Sequence, residues 1–361
     1  MQRTGAPGHI PTREGRRDRR GGGMMRAAIF HGAGKPMTIE DVPDPEPGPG
    51  EAVIKVCRCG ICGSDIGMTS GSHADYPAGT TLGHEYAGEV VAVGRDVSNL
   101  KVGQRVSAMP AKGCGRCASC LAGFPLGCTA MAGMIGGFGQ YMRIYAPAAI
   151  HLPDTLSMAD GALVEPLAVG LRGVALAGLR PGATVAVLGA GAVGLAAIYW
   201  ARLLGAGRIV AMSRSARRAD LATAMGADGF EAFGEGEGDR LAAALGGLPD
   251  AVLECAGAVG LMQKAVELVR PGGTIVSLGF CGSPDPIIPS LATWKQVTMK
   301  FSFAYDLREF QHCADALDAG HVAPRMMVSE TIGLDALPSG FEALRTGSTQ
   351  TKVHVDPWIA A

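Results

Sequence analysis

Apolar and polar positions change their rhythm once along this chain, near residue 156. Before that point, short apolar or alternating runs at 26–30, 51–58, 86–94, 104–109 and 139–145 sit between turn residues. Runs of this length predict strands, and their frequency predicts a β-rich, barrel-like domain. A Pro-rich connection from Val42 to Gly50 separates the first two. Beyond residue 156 the period lengthens. A helical run over 158–176 leads to strand 185–188, helix 195–204, strand 208–212, helix 217–225, strand 251–255, helix 261–269 and strand 273–278. Strands alternating with helices predict an α/β unit with a doubly wound parallel sheet. One more helix, 307–319, and a mixed tail follow.

The chain pivots on Gly189, Gly191 and Gly194, which punctuate the junction of strand 185–188 with the next helix as G-x-G-x-x-G. In a strand–turn–helix setting this spacing suits a dinucleotide. Gly189 allows the tight turn, Gly191 lets backbone approach the pyrophosphate, and Gly194 lets helix pack on strand. The helix N-terminus then faces the phosphates. In a chain with 54 glycines the motif alone is weak, and its setting is what gives it weight.

Composition narrows the class. The 361 residues exceed what one core usually spans, so two domains are expected. With 47% apolar and 18% charged residues and a formal net charge of −1, the chain offers no electrostatic footprint for nucleic acid or membrane. Residues 1–23 hold six arginines and no apolar periodicity, which predicts a disordered extension ahead of Met24 or Met25. Ten cysteines without a signal peptide suggest reduced thiols in a cytoplasmic setting, used for metal.

Four of those thiols, Cys114, Cys117, Cys120 and Cys128, share one Gly-rich loop. Four thiolates close a tetrahedral shell around structural zinc, with an iron–sulfur cluster as the rival. A second set is dispersed: Cys62 in Cys59-Gly-Ile-Cys62-Gly-Ser64-Asp65, His84 and Glu85 in Leu82-Gly-His84-Glu85, and Glu165 in Leu163-Val-Glu165-Pro166. Each alone has a bland reading: a buried thiol, a satisfied imidazole, an ordinary carboxylate. Together a thiolate, an imidazole and a carboxylate make a catalytic zinc set with one position left for water or substrate.

From Met25 onward these motifs, with Leu253-Glu-Cys-Ala-Gly257 and Val269-Arg-Pro-Gly-Gly273, resemble the zinc-dependent medium-chain alcohol and polyol (sorbitol-type) dehydrogenases. The resemblance implies a GroES-like catalytic domain (24–157 and 299–361) interrupted by a Rossmann domain (158–298). It implies Cys62 and His84 as catalytic zinc ligands, Glu165 or Glu85 completing the shell, and Asp65 orienting His84. Zinc would then act as a Lewis acid on the alcohol oxygen, hydride would pass to the nicotinamide, and Ser64 would carry the proton outward. Val193, Arg218 and Lys352 are implied at the cofactor, and a homodimer or homotetramer as the assembly.

Two departures matter. Gly67 stands where relatives often carry a relay histidine, so His73 or water is expected in its place. Ser213 stands where NAD enzymes have an acid at the end of the second Rossmann strand, and Arg214, Arg217 and Arg218 follow. Neutralisation with added positive charge predicts a preference for NADP(H), NAD(H) remaining possible. The rival readings are an NAD-dependent polyol dehydrogenase, a zinc-free quinone or enoyl reductase, and a zinc module binding nucleic acid or a partner. Lys112 and Arg116 alone give the cysteine lobe too little charge to track phosphates.

Overall fold

The computed structural model describes residues 23–71, 76–347 and 349–360. The expectation for residues 1–22, and that for His73, lie outside them. Two sheets carry the architecture. In the first, six strands join Glu51–Gly60, the long central strand of seven. Glu85–Val93 runs antiparallel along one side of it, and Tyr141–Tyr145 pairs with residues 51–55 on another. Arg105–Ala108 and Ala149–His151 extend the sheet one way. Lys352–Val355 and Val328–Ile332 extend it the other, so the chain's end completes a sheet that its beginning starts.

The second sheet has six strands, all parallel, in the order Gly229–Ala232, Arg208–Ser213, Thr184–Leu188, Ala251–Glu254, Thr274–Ser277, Thr298–Phe301. This is a Rossmann sheet, with its switch point at the strand that precedes the glycine turn. The four central strands are apolar runs buried on both faces, as parallel strands between helical layers must be.

The last strand moves a boundary. Thr298–Phe301 pairs in parallel with Thr274–Ser277, so the sheet reaches Phe301, beyond the expected limit at residue 298. It was illegible because it forms the sheet's exposed edge and shows no apolar run. The expected helix 217–225 also divides, into a 3-10 turn Ala216–Arg218 and a helix Ala219–Ala224, breaking where Arg218 leaves helical geometry at φ −113° and ψ 15°.

One helix, Met158–Ala177, serves both halves. Ser157 caps it: its hydroxyl accepts from Asp160 N at 3.1 Å while Asp160 accepts from Ser157 N at 2.8 Å. Arg325 holds the same carboxylate at 2.7 and 3.0 Å. Gly178 ends the helix in left-handed conformation, at φ 63°. The helix is buried along most of its length and joins the largest apolar cluster with Ala87, Leu195 and Phe310. Trp200 pins it from the neighbouring helix, donating to Leu167 O at 2.8 Å. Among the described residues no helix is long and apolar enough to cross a membrane.

His354 is an unusual member of the returning strand. It is fully buried, and neither ring nitrogen has a hydrogen-bond partner. Burial, with Lys352 and Arg58 adding like charge, pushes its pKa down to about 3. The unfolded chain takes up this proton near the ordinary value of 6.5, so between the two values the unfolded state binds more protons. Stability from this group is therefore lost as pH falls from 6.5 toward 3, by up to about 1.4 kcal/mol per pH unit. His354→Leu should raise stability at pH 7 by about 1–3 kcal/mol and flatten the acid limb. Urea unfolding of both proteins at pH 7 and pH 5 checks this; an unchanged pH slope would refute it.

Candidate active site

The loop after the central strand sets up the first ligand group. Cys62 caps the short helix Gly63–Gly67, and its backbone N–H donates to Asp65 Oδ2 at 3.1 Å. Asp65 is fully buried, and its other oxygen meets His84 Nδ1 at 3.1 Å. One carboxylate thus fixes both the Cys62 loop and the imidazole, turning His84 Nε2 toward the thiol. Ser64 Oγ lies 3.4 Å from that nitrogen. Ligand atoms of Cys62, His84 and Glu85 all fall within 4.8 Å of one another.

Charge at this point favours a cation. Burial disfavours a protonated His84, yet Asp65 and the Cys62 thiolate outweigh it and hold the imidazole well above its usual value. A soft thiolate, an imidazole and a carboxylate around one point form a donor set that fits zinc.

The carboxylates divide their roles. Glu85 is 1% exposed, and both its oxygens meet Lys352 Nζ, at 2.6 and 2.7 Å. Lys352 gives its remaining donor to Ile61 O at 3.1 Å. Lys352, implied at the cofactor by the resemblance, has its ammonium engaged by Glu85 and Ile61 O. Glu165 is placed beside the group of three, not within it. Its Oε1 accepts from Tyr305 at 2.9 Å, and burial, reinforced by Glu85 and opposed by His84, raises its pKa to about 7. Tyr305 was missed in the sequence, where no motif surrounds it.

The second constellation is complete. The sulfurs of Cys114, Cys117, Cys120 and Cys128 lie within 4.8 Å of one another. Ala111–Lys112 pairs with Ala132–Gly133 to close the neck of the lobe. Cys117 caps the helix Ala118–Leu121, and Pro125–Gly127 turns the chain back to Cys128. Backbone N–H groups of Cys114 and Ala130 donate to Cys128 Sγ at 3.4 Å, and those of Arg116 and Cys117 lower the Cys114 thiol to about 6. Donors aimed at sulfur favour thiolates, the form a closed zinc shell requires.

At the cofactor turn, Gly189 has φ 103°, open to glycine but strained for other residues. Gly191 caps the helix Ala192–Leu203, which begins three residues earlier than the apolar run suggested. A Cβ on Gly194 would stand 1.8 Å from Gly189 O, so helix and strand could not approach as they do. Val193 is half-buried behind them. Ser213 ends the second strand, and Arg214 and Arg217 are exposed beyond it. Arg218 reaches back to the turn: it donates to Ala190 O at 3.3 Å and to Gln350 O at 2.6 Å. Gly67 faces open space, so no steric cause excludes a side chain there.

Known proteins place the chain in a family. Residues 48–154 match the alcohol dehydrogenase GroES-like domain, and residues 192–319 match the zinc-binding dehydrogenase family. Sorbitol dehydrogenase of Bacillus subtilis (strain 168) is 33% identical over 92% of this chain and 97% of its own. A zinc-binding dehydrogenase structure from Sinorhizobium meliloti 1021, bound to NADP, superposes with a TM-score of 0.83 at 33% identity, covering 92% of this chain and 99% of that one. The short chain alcohol dehydrogenase rspB of E. coli CFT073, complexed with NADH, gives 0.84 at 26% identity with the same coverage.

The buried pair can be tested without substrate. Lys352→Met would leave Glu85 charged and unpaired, costing about 3–5 kcal/mol, and adding Glu85→Gln should recover most of the loss. Denaturant unfolding of the wild-type protein and the two variants checks this. A loss under about 1 kcal/mol in the single variant would show that the pair is not load-sharing.

Proposed function

The chain belongs to the zinc-dependent medium-chain alcohol and polyol dehydrogenases, and from that premise we propose that it moves a hydride between NADP(H) and a secondary alcohol or polyol, or the matching ketone. The observation that carries the reading is the convergence of Cys62, His84 and Glu85 within 4.8 Å, oriented by Asp65 and Lys352. When bound, zinc supplies a Lewis acid for the alcohol oxygen and the nicotinamide supplies the hydride acceptor. The protein's own residues do the rest. Asp65 keeps the proton on His84 Nδ1 and leaves Nε2 for the metal. Ser64 Oγ, beside that nitrogen, takes the substrate's hydroxyl proton and passes it outward. Glu165 borders the group, where it would complete the shell of a bound zinc. The turn at Gly189 and Gly194 admits a pyrophosphate to the helix N-terminus.

The NADP(H) preference rests on Ser213 ending the second strand without charge, and on exposed Arg214 and Arg217 beyond it. Guanidinium groups left open to solvent suit a 2′-phosphate. The NADP in the S. meliloti structure supports the same choice, while the NADH in rspB belongs to a protein less similar in sequence. The four clustered cysteines fit a reducing, cytoplasmic setting. A homodimer or homotetramer is also proposed, because the edge strand Thr298–Phe301 leaves Phe301 exposed, and Phe303 and Trp294 are exposed as well.

Charge-assisted contacts to the 2′-phosphate are worth about 1.5–3 kcal/mol, so kcat/KM should favour NADP(H) by about tenfold to a hundredfold. Ser213→Asp with Arg214→Ala should reverse the ratio. Equal values for the two cofactors in the unmodified enzyme would defeat the NADP(H) reading. A panel of secondary alcohols, polyols and ketones assayed alongside assigns the substrate class. Chelation should remove metal from the Cys62 site first, since its shell is open. Activity is then lost before the fold, and simultaneous loss of both would contradict two sites of different character.

A further inference from the structure

Between the strand Thr298–Phe301 and the helix Leu307–Asp318 the chain turns inward at one residue. Ala304 has φ 54°, in the left-handed region that residues with a Cβ rarely adopt. The turn drives Tyr305 into the interior, where it is fully buried. Its ring stacks on Phe310, with centroids 5.3 Å apart and planes 15° from parallel. Asp306 then caps the helix, accepting from the backbone N–H groups of Arg308 and Glu309 at 2.9 Å. Tyr305 is thus fixed by a strained residue before it, a cap after it and a ring against its face. From this position its hydroxyl donates to Glu165 Oε1 at 2.9 Å.

The two carboxylates near the metal-ligating group are held unequally. Glu85 has an ammonium on both oxygens, and leaving Lys352 would strand a buried charge. Glu165 is held through one oxygen by a neutral hydroxyl, and leaving Tyr305 breaks one ordinary hydrogen bond. Glu165 is therefore the carboxylate able to move. We propose that Tyr305 is a positioning residue that parks the Glu165 carboxylate beside the Cys62, His84 and Glu85 group, keeping one position there open for the substrate oxygen. Glu165 approaches the metal only when the phenol releases it. The inference rests on the metal reading of the Cys62 site.

Tyr305→Phe deletes the hydroxyl and keeps the stacked ring. The full-length protein is loaded with cobalt(II), whose visible spectrum reports the ligands around it. Subtracting the spectrum of Cys62→Ser isolates this site from the four-cysteine lobe. In Tyr305→Phe the resting spectrum should change, and a chelator should remove the cobalt about tenfold more slowly as Glu165 closes the shell. Adding Glu165→Gln should return the protein to the behaviour of Glu165→Gln alone. Read from the other side, Glu165→Gln by itself should leave the wild-type resting spectrum unchanged, which keeps the test decisive if Tyr305→Phe does not fold. A Cys62-dependent spectrum that ignores Tyr305→Phe, or that shifts with Glu165→Gln alone, overturns this inference and leaves the metal reading standing. No Cys62-dependent spectrum in the wild-type protein overturns both.

Discussion

A buried ion pair between residues 267 positions apart, Glu85 and Lys352, holds this molecule's logic together. Glu85 begins a strand in the N-terminal part of the catalytic sheet, and Lys352 begins the strand that completes the sheet after the Rossmann unit. Both are nearly inaccessible, so neither charge survives burial without the other. The pair therefore does two things at once. It makes the interrupted sheet close in one register, and it sets an oriented carboxylate beside Cys62 and His84. Metal chemistry and chain topology share one contact.

The helix Met158–Ala177 performs the corresponding task between the two halves. Its capped start packs under the catalytic sheet, and its body packs on the Rossmann helices. Glu165 sits on it one residue before Pro166, inside a helix already anchored by Arg325 at one end and Trp200 along its side. A carboxylate carried by so constrained a backbone moves by side-chain rotation. The hydroxyl of Tyr305 is what such a rotation must break.

Features that repeat at short range were legible in the sequence. The glycine turn, the four-cysteine lobe and the alternation of strands with helices each depend on neighbours within about twenty residues, and they emerged where their spacing placed them. The acidic partner of His84 was also legible, because Asp65 shares a motif with Cys62. Partnerships across the fold were not. Nothing around Lys352 announces Glu85, and nothing around Tyr305 announces Glu165, since each contact spans more than a hundred residues. Edge strands were lost for a different reason: Thr298–Phe301 has no buried face to impose alternation. His354 reads as an ordinary strand residue, and its cost appears only once burial on both faces is known.

Arg218 carries one consequence further. Its guanidinium bridges Ala190 O, in the glycine turn, and Gln350 O, two residues ahead of Lys352. Segment 350–352 is therefore tied at one end, through Arg218, to the glycine turn and at the other to Glu85 beside Cys62 and His84. Any swing of one half of the molecule against the other must either sever one of these ties or turn about this three-residue axle. A turn that preserves both would leave the glycine turn and the Cys62, His84 and Glu85 group nearly fixed in separation, while the outer rims travel furthest.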